Sequence, residues 1–210
     1  MESRLRVGHA IGKTEEEIAP NLMKQVKMHA PDDGPPPMSS DGKGAYPKAM
    51  VETWGKVPEY SGRGAPPTLP KPGKDWQFLQ AIKKRKGRKL ESIRIKVIYG
   101  NQEDVKAKLG CHTAYIERTN LTSRTMNGRL VRKTLSFSKE LRFLEASTIL
   151  EDAIYNFTRP VKTLRVESPN PRNLARWQQR SPAMAAGLTD HIWTVRELLT
   201  VVLVPLCITT

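Results

Sequence analysis

The sequence predicts an α/β protein, a mixed sheet with flanking helices followed by a C-terminal helical extension, and three stretches carry that expectation. ESIRIKVIYG at 91–100 places Ile93, Ile95, Val97 and Tyr99 at every second position, the period of a strand with one buried face. Thr14 with Glu17 three residues on forms a capping box ahead of Ile18, Leu22 and Val26, which recur at the spacing of a helix. From Ser138 a longer helix is expected, in which Phe143, Ala146, Leu150, Ala153 and Phe157 return at intervals of three and four and form a core stripe.

The remaining elements follow in chain order. Residues 4–11, LRVGHAIG, alternate loosely and read as a strand before the capped helix, which PDDGPPP at 31–37 stops. MSSDG at 38–42 leads into AYPKAMVETWG, a short helix ended by Gly55. From Gly55 to Lys74 nine of twenty residues are Gly or Pro, and KKRKGRK at 83–89 is basic at six of seven positions, so 55–89 reads as an irregular insertion. NQEDVKAKLG closes a helical turn on Gly110, and a further helix runs from about Thr113 to Gly128. Pro160 ends the long helix, PNP at 169–171 breaks the chain again, and Thr194 with Glu197 caps a last short helix. The expected division is 1–158 for the sheet-bearing domain and 159–210 for the extension.

Composition narrows the partner. Lys and Arg number 35 against 21 Asp and Glu, a formal net charge of +14 and a pI near 10.0, so the surface attracts polyanions, nucleic acid first among them. Cys111 and Cys207 lie far apart with no metal-ligand spacing and no disulfide framework, which fits a reducing cytoplasm. LLTVVLVPLCI at 198–208 is far shorter than the ~20 residues of a spanning helix, and no membrane role is expected.

Two acids stand out. Asp41 in SSDG has the composition of a turn or cap, and Glu117 in TAYIERTNLTSR is by itself a surface carboxylate within reach of Arg124. Asn120, Arg124 and Asn127 follow Glu117 at helical spacing on a helix with few apolar residues, a face suited to a nucleic-acid backbone or simply to water. Lys83, Lys84, Arg85, Lys86, Arg88 and Lys89 would hold DNA through phosphate contacts, or serve as a solubilising loop. His112 reads as a cap or surface group, and Trp177 and Trp193 as packing anchors for the C-terminal part.

The order SSDGKGAYPKAM, TAYIERTNLTSR, LVRKTLSFSK, YNFTRPVKTLRV and SPAMAAGLTDHIWT, spread over about residues 4–197, resembles the catalytic half of DDE-type insertion-sequence transposases. That resemblance implies an RNase H-like fold and metal-dependent cleavage and joining of DNA at the ends of a mobile element. It implies Asp41 as the second of three catalytic carboxylates and Glu117 as the third, together holding two Mg²⁺ or Mn²⁺ ions. Hard oxygen ligands suit Mg²⁺, and a metal pair stabilises both the attacking and the leaving oxygen of an in-line phosphoryl transfer. Arg124 would touch a phosphate near the scissile bond and Asn120 would orient Glu117 or a sugar oxygen. The implied partners are the element's ends and target DNA, with a homo-oligomer assembled on them.

The family's first carboxylate and the strand that bears it match nothing from Met1 onward, and Glu2 does not fit that position. The expected fold is therefore an incomplete, N-terminally truncated RNase H-like domain, with catalysis impaired and DNA binding retained. A non-catalytic nucleic-acid-binding protein, or the remnant of a decayed element, is the alternative. If Asp41 and Glu117 share metals, their carboxylates lie within about 4–8 Å.

Overall fold

In a computed structural model the chain is described over residues 3–30, 34–62, 64–87, 89–110, 114–131, 133–168 and 176–201, the side chains of 114–117 excepted. It folds as two bodies, one of Val7–Thr122 and one of Met1–Arg6 with Ser123–Thr210, whereas sequence periodicity alone suggests a boundary at 158. Both helices and a small mixed sheet are present, as the α/β reading expects. No helix among the described residues is long and apolar enough to cross a membrane.

Residues 4–11 form no strand, contrary to the alternation of their sequence. In the first body a side chain takes the place of a ladder partner: His9 N donates to Gln25 Oε1 at 3.1 Å, and Gln25 Nε2 donates to His9 O at 2.8 Å. One amide thus satisfies both backbone groups that a neighbouring strand would have paired. Gly8 permits the approach, since a Cβ there would stand 2.6 Å from Gln25 Oε1.

Gln25 belongs to α1 (Glu15–His29). Thr14 caps it by accepting from Glu17 N, while the Glu17 carboxylate reaches back one residue further than a capping box requires and accepts from Lys13 N at 2.9 Å. α1 buries Ala19 and Met23 against α2 (Ala45–Trp54), whose Ala49, Met50 and Trp54 are buried in turn. α2 ends as expected at Gly55, whose N–H donates to Val51 O at 2.8 Å.

Between the helices runs β1 (Met38–Asp41), parallel to β2 (Phe78–Lys86), and β2 pairs antiparallel with β3 (Lys89–Tyr99). The segment 55–89 is therefore not an irregular insertion throughout: it contains the whole of β2, the central strand of the sheet, and Trp76, Phe78, Leu79 and Ala81 are buried. Basic residues in a strand are tolerated here because they lie beyond the part of β2 that has neighbours on both sides. The 93–99 strand is present, but β2 separates it from β1.

A register shift between Phe78 and Leu79 changes which face the end of β3 presents. Val97 sits opposite Leu79, yet Tyr99 sits opposite Phe78, so one extra residue, Ile98, is accommodated on β3. Tyr99 thereby leaves the face of Ile93, Ile95 and Val97 and joins the core under α1 and α2, with ring centroids 5.6 Å from Trp76 and 6.3 Å from Phe78. Its hydroxyl donates to Pro47 O. Gly100, at φ +94, then turns the chain into α3 (Gln102–Leu109), which Asn101 caps and Gly110 closes.

α4 (Ala114–Met126) follows and matches the expected helix. In the second body, α5 (Leu141–Ala153) continues into a π-helical turn, Ile154–Thr158. The anticipated stripe on α5 is not a core face: Phe143 is 50% and Leu150 45% exposed. Burial is concentrated instead around the π turn, against which α6 (Pro182–Ala185) and α7 (Val195–Thr200) pack. Ser181, Pro182 and Ala183 are buried, and Trp193 packs on Phe157 at 4.7 Å, so SPAMAAGLTDHIW is a packing block for that turn.

Arg6 anchors the chain start to the same place. Its backbone exchanges hydrogen bonds with the Asn156 side chain at 3.0 and 2.8 Å, and its guanidinium donates to Glu151 at 2.7 Å and Asp152 at 3.0 Å while lying 3.9 Å above the Tyr155 ring. Removing one member of such a buried pair leaves an uncompensated charge. The last expected capping box is present, Thr194 with Glu197. Glu197 also accepts from His191 Nε2 at 2.8 Å while Asp190 takes Nδ1 at 2.6 Å.

Phe78→Ala should lower the unfolding free energy by about 3–5 kcal/mol in denaturant titration, because it empties the centre of the first body's core. Two carboxylates facing both ring nitrogens favour the doubly protonated imidazole, so the His191 pKa is raised, chiefly by Asp190 and then Glu197, and those of Asp190 and Glu197 are lowered. The contribution of His191 is full below pH 6.5 and disappears as pH rises through its elevated folded value; that of the carboxylates disappears as pH falls through their depressed values. An NMR titration should therefore give a His191 midpoint above 6.5 that drops in Glu197→Gln.

Candidate nucleic-acid interface

Asp41 is the last residue of β1 and is exposed at the carboxyl end of the parallel β1–β2 pair. Sites in open α/β sheets form at that end, where strands hand over to loops and helices. Here the hand-over is Gly42-Lys43-Gly44, leading directly into α2. Lys43 O accepts from the buried Gln80 side chain at 2.7 Å, which fixes the loop to β2. The Lys43 ammonium forms a 2.9 Å ion pair with Glu15 at the start of α1. Its pKa is raised, first by the hydrogen bond and charge of Glu15, with smaller contributions from Asp41 and Glu16. Tyr46, on the first turn of α2, keeps its phenolic proton to higher pH than usual because it is partly buried and then because Asp41 and Glu15 lie nearby.

β2 does not stop where β1 does. Asp41 pairs in register with Ala81, and β2 continues five residues further to Lys86, roughly 16 Å at ~3.3 Å per residue. Beyond Ala81 only β3 accompanies it, so the sheet narrows to a two-stranded arm that turns at Gly87, φ +60. The arm carries Lys84, Arg85, Lys86 and Lys89 exposed, with Lys83 half-buried at its base. Only Lys84 has an ion pair among these exposed residues, with Glu91 at 3.1 Å. The sequence's basic run is thus the tip of a hairpin rising past the end of the sheet that bears Asp41.

Two further cations belong to this surface and were not singled out from the sequence. Arg94 pairs in register with Ile82 and Lys96 with Gln80, on the face opposite Ile93, Ile95 and Val97. The alternation of 91–100 contains that signal, since every residue skipped by the apolar series must point the other way. Glu15 and Tyr46 carried no such signal, because their proximity to Asp41 arises from the packing of α1 on α2.

Glu117 lies on α4, and its side chain falls outside the described residues, as do Arg88 and His112; the expected Asp41–Glu117 separation therefore lies outside them too. Asn120 and Arg124 are both exposed on α4. Asn127, expected on their face, is instead buried: its Nδ2 donates to Ser147 Oγ at 2.7 Å and its Oδ1 accepts from Arg129 N at 3.1 Å, capping the short turn Gly128–Leu130. Among the described residues no three His, Cys, Asp or Glu side chains cluster as a metal site. Comparison with protein-family models, curated proteins and solved structures finds no match to this chain.

What the arrangement offers chemically is a cationic arm of fixed geometry beside an exposed carboxylate. A variant with Lys83, Lys84, Arg85, Lys86 and Lys89 all changed to Gln should bind duplex DNA at least about tenfold more weakly at low salt. Its slope of log K against log salt should be shallower by up to about four units if all five residues meet phosphates. Fluorescence anisotropy across a salt series gives both quantities.

Proposed function

We propose that the chain acts on DNA as an RNase H-like part of a DDE-type insertion-sequence transposase, the hairpin arm holding the phosphate backbone and Asp41 with Glu117 holding Mg²⁺ or Mn²⁺. The observation that carries this reading is that Asp41 and the basic arm occupy the same end of one sheet. A carboxylate at the foot of a phosphate-binding arm repels the very ligand the arm attracts. A divalent cation removes that conflict, since it takes oxygen ligands from carboxylate and phosphate together. Asp41 suits this role as an exposed hard oxygen donor at a strand end.

The parallel β1–β2 pair bridged by α2, with β3 antiparallel on its far side, supports the mixed-sheet fold that the sequence resemblance implies. Bound metal would activate the attacking oxygen and stabilise the leaving one. The protein's own residues supply the rest: the arm positions the strand, and Lys43, kept charged by Glu15, adds a fixed ammonium beside Asp41. Arg124 and Asn120, exposed on α4, would contact phosphate and sugar. Target and element-end DNA are the partners, met in the cytoplasm by a homo-oligomer.

Nicking of supercoiled plasmid by the purified chain with Mg²⁺ or Mn²⁺ tests the chemistry. Asp41→Ala and Glu117→Ala should each reduce nicking to the uncatalysed background while retaining DNA binding. Binding without nicking by the parent chain would leave the non-catalytic nucleic-acid-binding reading, which the arm supports by itself.

A further inference from the structure

The second body carries its own cationic surface, built around a tryptophan that is not in a core. β4 (Val166–Glu167) and β5 (Trp177–Gln178) pair antiparallel, and the backbone bonds Val161 N to Arg180 O and Ser168 N to Arg176 O, both 3.0 Å, extend the pairing on either side. This ribbon gathers Arg165 and Arg176 around Trp177. Their guanidinium carbons lie 4.4 and 5.2 Å from the indole centroid, while Lys162 is exposed on the adjoining turn. Glu167, the carboxylate of β4, is paired to Arg176 at 3.3 Å. Trp177 is 38% exposed, whereas Trp54 and Trp76 are 8% and 7% exposed, so its ring is not packed into a core as the sequence suggested.

We propose that the β4–β5 ribbon is a second nucleic-acid contact that takes an unpaired base of a single-stranded segment. An exposed indole offers a stacking face that any base can use, and a base can use it only when it is free of its own duplex neighbours. Arg165 and Arg176 supply planar guanidinium groups that stack on the ring or turn to the flanking phosphates. The hairpin arm differs in kind, since residues 82–94 contain no aromatic side chain and can grip only the backbone. The inference rests on nucleic acid as the partner but on a different surface.

The test uses the full chain with a fluorescein-labelled 12-mer of oligothymidylate and, separately, a blunt duplex. Trp177→Ala should weaken oligothymidylate binding by about 5- to 100-fold and leave duplex binding within twofold. Arg165→Gln should weaken it in the same direction. In the parent chain, oligothymidylate should quench part of the intrinsic tryptophan fluorescence, and that part should be missing in Trp177→Phe, a variant that keeps a ring on the ribbon. Oligothymidylate affinity unchanged within twofold in Trp177→Ala, or quenching undiminished in Trp177→Phe, overturns the proposal. Loss of duplex binding in the arm variant tests the other surface and has no bearing on this result.

Discussion

β2 is the strand on which the first body depends, because it is hydrogen-bonded on both sides for only four residues and on one side thereafter. Over Phe78–Ala81 it is a central strand with fully buried side chains, and the core of Met50, Trp54, Trp76 and Tyr99 assembles around it. Past Ala81 the same strand becomes one side of an arm. A single backbone element therefore joins the best-packed part of the body to its most charged part, and the position of the charge is set by the packing of the core. The extra residue at Ile98 tightens this coupling, since it turns Tyr99 under the helices and frees Gly100 to meet Trp76 O and Val105 closely, where a Cβ would stand 2.8 Å from each.

The arm's charge is unfavourable for folding. Lys86 faces Lys89 directly across the hairpin, and like charges in that position cost about 0.2–1 kcal/mol, which the Lys84–Glu91 pair offsets by a similar amount. A strand tip that carries such repulsion violates the local rules the rest of β2 obeys, and such violations concentrate where a surface serves a ligand. A bound polyanion would relieve the repulsion. At the opposite sign, Glu15 pairs with Lys43 and Asp41 lies near it, so the end of the sheet holds both charges close together.

Much of the local structure was legible in the sequence, and the exceptions have physical causes. Thr14, Gly55, Gly110 and Thr194 announce helix ends because capping is settled within four residues. Alternation found β3 but missed Tyr99, because a bulge changes the face without leaving a mark in the pattern. LRVGHAIG alternates like a strand, yet its partner is the Gln25 side chain, which no local rule identifies. The stripe from Phe143 to Leu150 has helical period and forms a helix, but period reports which residues share a face, not whether anything covers it. The basic run 83–89 reads as a loop because its composition outweighs the strand pattern of which 83–86 are the end. Asp41 was singled out by its block; its neighbours Glu15 and Tyr46 were not, being contacts between elements.

The basic segment is an ordered arm that continues the central strand. Amide hydrogen exchange combined with cross-strand NOEs measures this residue by residue. The structure predicts strongest protection over Phe78–Ala81, intermediate protection continuing to Lys84, and NOEs linking Lys83 with Ile93 and Lys84 with Ser92. Exchange at open-chain rates from Ile82 onward, with none of those NOEs, would contradict it.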